Sequence, residues 1–546
     1  MVEEYVSTLK GNSPIDELRK RAFEEVKAFE VDTKEHFYTL TLPTGYGKTL
    51  MGLLFALKLK GEIEKETGKG VRLIYSLPFL SIIDQNAKVF EEVLIPLGEN
   101  IVVKHHHLAL GEYLKQKGED YELTRLLVEA WNAPVVVTTF VQLFHTLLAS
   151  TNSNARRFNK LSNSVVLVDE VQALPPEYWY LFEKYLKEVA EKLNTYFVFT
   201  TATQPYLVEG KEVIQNRELY FNSVNRYKVE LNPEKTPFGE FLENLKPRGG
   251  TLYIMNTVKS SQKLFKHLTE NLEIPKGEVA YLSASLTPKD RQRRLYELKK
   301  GKYRFAVSTQ VVEAGVDIDF PNVVRDFAPL DALIQSAGRC NRNFTFEKGT
   351  FEVVHLMDDN DRSFASYIYD PILLKTTLEL LLKEKPKDER ELTRLVEEYF
   401  NLLKELKSKD TSRELLEKLE TLNFKDIPCR KKKDKNKNKG FCFFEDEPYK
   451  RDVFIQTDQK AVDIWNAAKG IIRRLRERKI DLFEAKKEFE LLKGAFYGYV
   501  VSVNVEKNKP PFDEELNIYY VPLEELRSYY DPYVGFISEG ETYGEY

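Results

Sequence analysis

A glycine-containing segment, Leu42–Thr49, has the residue types and spacing of a phosphate-binding loop (L-P-T-G-Y-G-K-T). Gly45 and Gly47 allow the backbone to turn its N–H groups toward an anion, and a helix that follows adds its positive end. Lys48 can then reach the β- and γ-phosphates of a nucleotide, and the Thr49 hydroxyl can bind Mg²⁺. The segment begins with leucine where this pattern usually has a glycine. The simpler alternative is a glycine turn beside a surface lysine.

Two adjacent carboxylates, Asp169 and Glu170, follow the apolar run V-V-L-V. The carboxyl end of a strand is where α/β sheets place functional groups. We expect Asp169 to hold Mg²⁺ through water, and Glu170 to orient and deprotonate an attacking water. Phosphoryl transfer needs mainly positioning and charge neutralisation, which these groups supply together with the phosphate loop. In isolation, an Asp-Glu pair after a strand is usually a solvated turn.

Two arginines, Arg339 and Arg342, lie in the later segment Q-S-A-G-R-C-N-R (335–342). Their spacing of three residues predicts that one helical face presents both guanidinium groups. Aimed at a triphosphate, the two groups would neutralise the charge that grows on the γ-phosphoryl in the transition state. The alternative is a pair of surface arginines in salt bridges.

Acidic residues accompany these arginines in S-T-Q-V-V-E-A-G-V-D-I-D-F (308–320), namely Glu313, Asp317 and Asp319. Such a segment can connect a nucleotide site to a nucleic-acid site, or can be only a capped strand-to-helix turn. The hydroxyls of T-A-T (201–203) could bridge the metal site to a neighbouring domain, although the tripeptide alone is a negligible signal.

Short apolar runs that alternate with amphipathic stretches must position these residues, and they predict parallel sheets covered on both faces. The phosphate loop lies between the β-favouring run 37–42 and the apolar run 50–60, which is long enough for a helix. The other predicted strands of the first unit are 71–77, 134–139, 164–169 and 196–200. The strand pattern restarts at 251–255, 279–282, 304–308, 322–326 and 351–356. The fold class is therefore α/β, with two units in tandem.

Four segments are predicted: two α/β domains at 1–231 and 232–358, a helical segment at 359–440 and a small accessory domain at 441–546. Because the arginine pair belongs to the second domain, hydrolysis would depend on closure of the two domains. Within the helical segment, residues 430–439 include seven basic residues in ten and no apolar one. That composition favours a solvated loop over a nucleic-acid contact.

Composition indicates a folded soluble protein of 546 residues, 42% of them hydrophobic, with a net charge of −4. The sequence has no run of 18 apolar residues and begins with the acidic M-V-E-E-Y-V, which argues against a membrane span and a signal peptide. Cys340, Cys429 and Cys442 are too few and too scattered for a disulfide framework or a four-thiolate metal site. We therefore expect a cytoplasmic protein in a reducing compartment.

Taken in chain order, L-P-T-G-Y-G-K-T, D-E-V-Q, T-A-T, S-T-Q-V-V-E-A-G-V-D-I-D and Q-S-A-G-R-C-N-R resemble the motif series of superfamily 2 (DExD/H-box) helicases. Within this series, T-Q-V-V-E-A-G-V-D-I-D-F and G-R-C-N-R closely resemble the helicase subunit of type I CRISPR interference. The segments 453–465 and 529–536 resemble the C-terminal accessory region of that family. The resemblance implies two tandem RecA-like parallel-sheet domains followed by a helical segment and a small C-terminal accessory domain.

The same resemblance implies an ATP- and Mg²⁺-dependent, 3′–5′ translocase that unwinds target DNA, and it assigns residues to each role. The implied catalytic residues are Lys48, Glu170, Arg339 and Arg342. ATP would contact Thr44, Gly45, Tyr46, Gly47, Lys48, Thr49, Gln335 and Asp317, and Mg²⁺ would be held by Thr49 and Asp169. Single-stranded DNA would contact Pro78, Phe79, Ser81, Gln85, Thr138, Thr139, Asn256, Thr257, Thr309 and Gln310. Small polar groups at strand ends suit a grip on phosphates without base readout, and a core role is an equal alternative for each.

Several positions depart from the family pattern. Gln172 stands where many relatives have His, and Ser336 where a basic residue is frequent. Arg21 occupies the position expected to hold an adenine-reading Gln, which leaves base selectivity open. None of the seven histidines is followed by Asp. The HD nuclease that most relatives carry ahead of the motor is therefore not expected, and the triplet 105–107 fits a polar loop better than a metal site.

A stand-alone motor would imply a separate HD nuclease subunit and a crRNA-guided surveillance complex as partners, with no membrane. Two other functions stay open at this point. One is a superfamily 2 motor that acts on RNA or on DNA-repair intermediates. The other is an ATP-dependent assembly module without processive unwinding.

Overall fold

The computed structural model describes residues 2–8, 15–78, 80–94, 96, 98, 101–106, 109–117, 121–149, 151–202, 207–313, 315–429, 440–442 and 449–538. These residues form two parallel-sheet domains, a helical segment and a C-terminal domain. No helix among them is both long and apolar enough to cross a membrane.

Domain 1 contains a seven-stranded parallel sheet in the order β3-β4-β2-β5-β6-β1-β7. Its strands are β1 (Phe37–Thr41), β2 (Arg72–Leu77), β3 (Val102–His105), β4 (Val135–Thr139), β5 (Ser164–Asp169), β6 (Thr195–Thr201) and β7 (Lys211–Glu212). Its helices are α1 (Val2–Thr8), α2 (Asp16–Ala28), α3 (Lys48–Thr67), α4 (Leu80–Leu94), α5 (Ala109–Lys117), α6 (Tyr121–Glu129), α7 (Phe140–Leu147), α8 (Asn152–Phe158), α9 (Trp179–Leu193) and α10 (Arg217–Ser223). Helices α2, α3 and α4 cover one face of the sheet and α7 and α9 cover the other, so the central strands are buried on both faces.

Domain 2 contains a six-stranded parallel sheet in the order β10-β11-β9-β12-β13-β8. Its strands are β8 (Tyr227–Pro237), β9 (Thr251–Ile254), β10 (Val279–Leu282), β11 (Phe305–Ser308), β12 (Asn322–Asp326) and β13 (Gly349–Met357). Its helices are α11 (Phe238–Glu243), α12 (Val258–Lys266), α13 (Pro288–Lys299) and α14 (Leu330–Ala337). One face of this sheet shares a continuous hydrophobic core with domain 1 and with the helical segment. This shared core packs the three parts together.

Three helices and a small mixed sheet complete the chain. The helical segment contains α15 (Pro371–Glu384), α16 (Glu389–Leu406) and α17 (Asp410–Glu420). The C-terminal domain contains β14 (Lys450–Ile455), α18 (Gln459–Arg476), α19 (Leu482–Tyr497), β15 (Val500–Asn504), β16 (Phe512–Asp513), β17 (Ile518–Val521), α20 (Leu526–Tyr529), β18 (Tyr530–Asp531) and β19 (Gly535–Phe536). Strands β15-β14-β17-β16 form its sheet, and β18 pairs with β19.

The C-terminal domain contacts both parallel-sheet domains. On domain 1, α19 lies so close to α5 that a Cβ atom on Gly111 would stand 2.0 Å from the backbone oxygen of Glu490. On domain 2, Lys289 Nζ lies 2.7 Å from Asp458 Oδ2, and Arg294 donates hydrogen bonds to backbone oxygens beside β18. The C-terminal domain therefore bridges the two sheets.

The predicted fold class is confirmed, because both sheets are parallel and all ten predicted strands of the two domains are present within a few residues. The sequence did not predict β3, β7 or β8. Strand β8 crosses the predicted boundary between 231 and 232. The helical segment predicted at 359–440 is interrupted between α15 and α16 and between α16 and α17.

Two of the three cysteines are joined, since Cys429 forms a disulfide with Cys442. The sequence did not predict this bond, since three scattered cysteines gave no sign of a disulfide framework; the two bonded residues are 13 positions apart. A bridge between Pro428 and Phe441, next to Gly440 at a φ of 73°, brings the two ends together. The basic segment 430–439 lies between them and outside the described residues.

Candidate active site

The phosphate loop connects β1 to the first residue of α3, which is Lys48. Gly45 and Gly47 have φ values of 91° and 82°, a conformation that favours glycine. Lys48 is buried and its Nζ donates to the backbone oxygen of Leu42 at 3.3 Å. Burial lowers the pKa of Lys48, while the nearby charges of Glu170 and Asp169 raise it. The lysine is therefore held at the loop beside Glu170, the predicted catalytic carboxylate, and Asp169, the predicted magnesium ligand.

Asp169 ends β5 with its carboxylate held on both oxygens. Thr200 Oγ1 donates to Asp169 Oδ1 at 2.6 Å, and the Tyr75 hydroxyl donates to Oδ2 at 2.8 Å. Burial, and next the charge of Glu170, raise the pKa of Asp169 to about 6. Thr49 lies beside the same tyrosine hydroxyl, so the two predicted magnesium ligands are neighbours.

Oxygen donors of this kind suit Mg²⁺, which is usually bound by one or two carboxylates together with phosphate oxygens and water. Thr49 supplies a hydroxyl and Asp169 a carboxylate, and the cation would relieve the buried negative charge of Asp169. In the part of the chain that the structure describes, no group of three or more His, Cys, Asp or Glu could hold a metal ion. Thr49 and Asp169 therefore fit a cation that a bound triphosphate also ligates.

Glu170 is oriented by a short polar network. Its backbone has a φ of 56°, and its N–H donates to the oxygen of Thr200 at 2.8 Å. The amide of Gln172 donates to the Glu170 carboxylate and accepts a 2.6 Å bond from Thr201 Oγ1. Gln172 and Thr201 thus position Glu170 within domain 1. Thr203 lies outside the described residues.

Two arginines that were not predicted hold the phosphate loop from outside. Arg19 Nε donates to the oxygen of Gly45 at 2.8 Å, so Arg19 and not Arg21 contacts the loop from α2. Arg226 Nη2 donates to Thr44 Oγ1 at 3.0 Å and forms a buried ion pair with Glu389 of α16. The tip of the loop is thereby tied to the connection between the two domains and to the helical segment.

Domain 2 brings its arginines to the same loop. A Cβ atom on Gly338 would stand 3.0 Å from Thr44 Oγ1, and one on Gly45 would stand 4.0 Å from the backbone oxygen of Arg342. Glu170 is close enough for its charge to act on Arg339, and Arg342 close enough to act on Lys48. The two predicted halves of the site therefore meet.

Both arginines are already bonded within domain 2. Arg339 is buried and donates to the oxygens of Val312 at 2.9 Å and Glu313 at 2.6 Å. Burial, with the nearby charge of Arg342, lowers the pKa of Arg339 to about 9. Arg342 Nε donates to Asp317 Oδ1 at 3.0 Å, so the predicted ATP contact Asp317 is an arginine partner here.

The two arginines do not share a helical face, and that prediction was wrong. Helix α14 ends at Ala337, and Asn341 has a φ of 45°. The Asn341 amide donates to the backbone oxygens of Arg226 and Phe346, which fixes the turn. Gln335, another predicted ATP contact, is half-buried in the last turn of α14.

Ser336 belongs to a buried polar cluster below this turn. Its hydroxyl donates to Glu313 Oε1 at 3.1 Å and accepts from Arg325 Nε at 3.2 Å. Arg325 and Glu313 form an ion pair of 2.7 Å whose side chains are 0% and 10% exposed. The serine at this position therefore completes an ion pair that supports the backbone to which Arg339 is bonded.

The predicted DNA contacts follow strands of both sheets at their carboxyl ends, but they differ in exposure. Thr138 is fully buried and donates to the oxygen of His105, and Asn256 is bonded to Asp326 and Arg325. Both side chains are buried in this conformation, and contact with DNA stays a prediction for them.

The other predicted DNA contacts differ in their local structural role and in their exposure. Thr139 and Thr257 cap helices α7 and α12, Thr309 is nearly buried, and Gln310 Nε2 donates to the oxygen of Asn256 at 2.8 Å. Pro78 lies buried directly after β2. Phe79 and the side chains of Ser81 and Gln85 lie outside the described residues. For these residues, DNA contact stays a prediction.

Two family models match the chain. Residues 20–209 match the DEAD/DEAH box helicase model, and residues 248–345 match the model of CRISPR-associated nuclease/helicase Cas3, C-terminal. The matches include the phosphate loop and carboxylates in the first case and the arginine segment in the second. They bear out the resemblance to the CRISPR-associated helicases.

Curated relatives include the CRISPR-associated nuclease/helicase Cas3 of Haloferax volcanii, 28% identical over 65% of this chain and 51% of the relative. A putative Cas3 of Methanocaldococcus jannaschii is 23% identical over 73% of this chain and 57% of the relative. The chain thus spans about half the length of these relatives.

The fold is also that of solved Cas3 structures. T. fusca Cas3 aligns with a TM-score of 0.63 at 16% identity, covering 98% of this chain and 72% of that one. The T. fusca Cas3-ATP structure aligns with a TM-score of 0.62 at 16% identity, covering 95% and 69%.

Proposed function

We propose that this chain, a Cas3-type relative among the DEAD/DEAH box helicases, is an ATP-driven motor that translocates on single-stranded DNA. The observation that carries the proposal is the meeting of two sets of groups at one loop. Domain 1 supplies Lys48 and Glu170, and domain 2 supplies Arg339 and Arg342. This combination suits the in-line transfer of a γ-phosphoryl group to water.

The backbone of the phosphate loop, Thr44 to Thr49, would hold the phosphates, and Lys48 would neutralise the β- and γ-oxygens. A magnesium ion, when bound by Thr49 and Asp169, supplies further charge neutralisation to the phosphates. Glu170, oriented by Gln172, would accept a proton from the attacking water. Structures of T. fusca Cas3 with ATP, AMPPNP and ADP support a nucleotide ligand for this fold.

Arg339 and Arg342 would stabilise the charge that develops on the γ-phosphoryl group. To reach it, their side chains must exchange partners within domain 2 for phosphate oxygens. Hydrolysis then depends on how closely domain 2 approaches the phosphate loop. Cycles of closure and opening would shift the grip on DNA from one sheet to the other, with a 3′–5′ direction expected from the family.

DNA would lie along the carboxyl ends of the strands, at the positions around Pro78, Thr139, Thr257, Thr309 and Gln310, with Phe79, Ser81 and Gln85 as further contacts. We assign the motor to type I CRISPR interference in the cytoplasm, with a crRNA-guided surveillance complex as partner. Because none of the histidines is followed by Asp, the HD nuclease is proposed to come from outside this sequence.

The deciding experiment measures steady-state ATP hydrolysis with Mg²⁺ in the presence of single-stranded DNA or RNA of the same base sequence. We expect stimulation of several-fold by DNA and little by RNA, and no stimulated hydrolysis in Lys48→Ala. An unwinding assay on a duplex with a 3′ single-stranded tail tests the direction in the same buffer. Stimulation by RNA alone would contradict the CRISPR assignment, and wild-type hydrolysis without strand separation would favour an assembly module.

A further inference from the structure

Tyr75 is a fully buried tyrosine in the centre of the domain 1 sheet, and it touches the site through its hydroxyl alone. The hydroxyl donates to Asp169 Oδ2 at 2.8 Å and accepts a hydrogen bond from Asn86 Nδ2 at 2.9 Å. The ring stacks on Phe90, with centroids 4.6 Å apart and planes inclined by 16°. A buried hydroxyl is costly unless it is bonded, so both of these bonds hold the phenol in place.

Two side chains that contact Tyr75, Asn86 and Phe90, belong to one helix, α4. Asn86 and Phe90 are one turn apart on the same face of that helix. The helix begins at Leu80, directly after the segment proposed to hold DNA, and Asn86 follows Gln85 in sequence. A displacement of α4 would therefore move the two side chains that contact the hydroxyl and the ring of Tyr75.

The two oxygens of Asp169 are consequently held by different parts of the domain. Oδ1 accepts from Thr200 in β6, the strand that pairs with β5 along its whole length. Oδ2 accepts from Tyr75 of β2, a strand that also pairs with β5, and the tyrosine hydroxyl accepts in turn from Asn86 of α4. Both oxygens are therefore held from the sheet, and Oδ2 is in addition linked through the tyrosine hydroxyl to a helix that lies beside the proposed DNA path.

We propose that Tyr75 and Asn86 are positioning residues that couple DNA held at the start of α4 to the orientation of the Asp169 carboxylate. This inference rests on the proposed function. Because Asp169 and Thr49 lie beside one phenol, a small displacement of Tyr75 changes how both groups face a bound nucleotide. DNA on α4 would set the hydroxyl in the position that favours hydrolysis. Linkage requires the reverse effect too, so a magnesium nucleotide should change the affinity for DNA through the same residues.

Tyr75→Phe tests the relay from Asn86 through Tyr75 to Asp169, because it removes the hydroxyl and keeps the ring that stacks on Phe90. Asn86→Ala removes the same relay from the helix side. The matched control is Tyr38→Phe, since Tyr38 is also a fully buried tyrosine of this sheet and its hydroxyl donates to the oxygen of Asp32, away from the site. All three variants are made in the full chain, and circular dichroism melting identifies any that fail to fold.

Two quantities are measured for each protein. The first is the ratio of ATP hydrolysis with oligodeoxythymidine to hydrolysis without it. The second is the dissociation constant of a fluorescent oligodeoxythymidine with and without Mg²⁺ and a non-hydrolysable ATP analogue. We expect Tyr75→Phe and Asn86→Ala each to bring the stimulation ratio from its several-fold wild-type value down toward 1 and to reduce the effect of the nucleotide on DNA affinity, while Tyr38→Phe changes neither.

Unchanged stimulation and unchanged linkage in Tyr75→Phe would overturn the relay. An equal fall of hydrolysis with and without DNA would also overturn it, because Tyr75 would then hold Asp169 independently of DNA. If wild-type hydrolysis is not stimulated by DNA at all, the proposed function fails and not the relay alone. Reading DNA affinity as well as turnover keeps these outcomes distinct.

Discussion

The two parallel-sheet domains hold their halves of the site in opposite ways. In domain 1, hydroxyl and amide groups orient Asp169 and Glu170 at the ends of buried strands, and Lys48 is fixed in the loop beside them. In domain 2, the guanidinium groups of Arg339 and Arg342 are bonded to backbone oxygens and to Asp317 of their own domain. The groups of domain 1 are thus already oriented toward the phosphate loop. In domain 2, Arg339 and Arg342 would have to break their present hydrogen bonds before they could contact a nucleotide.

This difference shows where control of turnover can be placed. Under the proposed function, the preformed groups of domain 1 would bind nucleotide in any state of domain 2, and hydrolysis would require the arginines of domain 2 to approach. That dependence would link each hydrolysis event to a movement of the domains.

Glu170→Gln should give the largest loss. The amide keeps the shape of the side chain and its contact with Gln172 but cannot accept the proton of water. We expect the turnover number to fall about a thousandfold, with nucleotide affinity retained. Stopped-flow binding of a fluorescent nucleotide and phosphate release separate the two quantities. Glu188→Gln on the exposed face of α9 is the control, and wild-type turnover in Glu170→Gln would refute the catalytic assignment.

Arg342→Ala should follow, with a loss of about a hundredfold in turnover, because one of two transition-state cations is removed. Nucleotide affinity should change much less, since domain 1 provides the binding half. Arg362→Ala, at an exposed arginine in the turn that follows β13, controls for loss of charge. A large fall in affinity with normal turnover would show that Arg342 belongs to the binding half instead.

Ser336→Ala should lower stability by about 1–3 kcal/mol, because it leaves Glu313 and Arg325 short of a hydrogen bond in a buried cluster. Chemical unfolding followed by circular dichroism measures this value, with Ser366→Ala as a control at a less buried serine. Loss of more stability in the control than in Ser336→Ala would contradict the supporting role of the cluster.

Asp317→Asn should have the smallest effect. It distinguishes whether Asp317 holds Arg342 within domain 2 or contacts the nucleotide. If Asp317 holds Arg342 away from the nucleotide, weakening that ion pair frees the arginine, and kcat rises by a few-fold while KM for ATP stays near the wild-type value. If Asp317 instead binds the nucleotide, as the family pattern implies, KM rises. Steady-state kinetics with DNA at saturation distinguishes the two outcomes.

The sequence predicted the central strands because a parallel strand buried on both faces reads as an uninterrupted apolar run, as in β5. It missed β3, β7 and β8, which lie at or near sheet edges and are short or mixed in polarity. Lys48, Asp169 and Glu170 could be found because motif residues follow such strands directly.

Other site residues depend on contacts between distant parts of the chain. Tyr75 lies 94 residues from Asp169, and Arg226 lies 163 residues from Glu389. A tyrosine between the aliphatic residues of the buried strand β2 was the one local signal of the first contact. The second had none, because an arginine in a connecting segment is ordinary until its buried partner is known.

The central claim is that the two domains act as one catalytic unit, and a double-mutant cycle of Glu170→Gln and Arg342→Ala tests it most directly. Single-turnover ATP hydrolysis with saturating DNA is measured for the wild type, both single variants and the double variant. Groups that act as a unit are strongly non-additive, so we expect the double variant to be no more than about threefold slower than the slower single variant. A double variant slowed by the product of the two single effects would show that the domains contribute independently and would contradict the account.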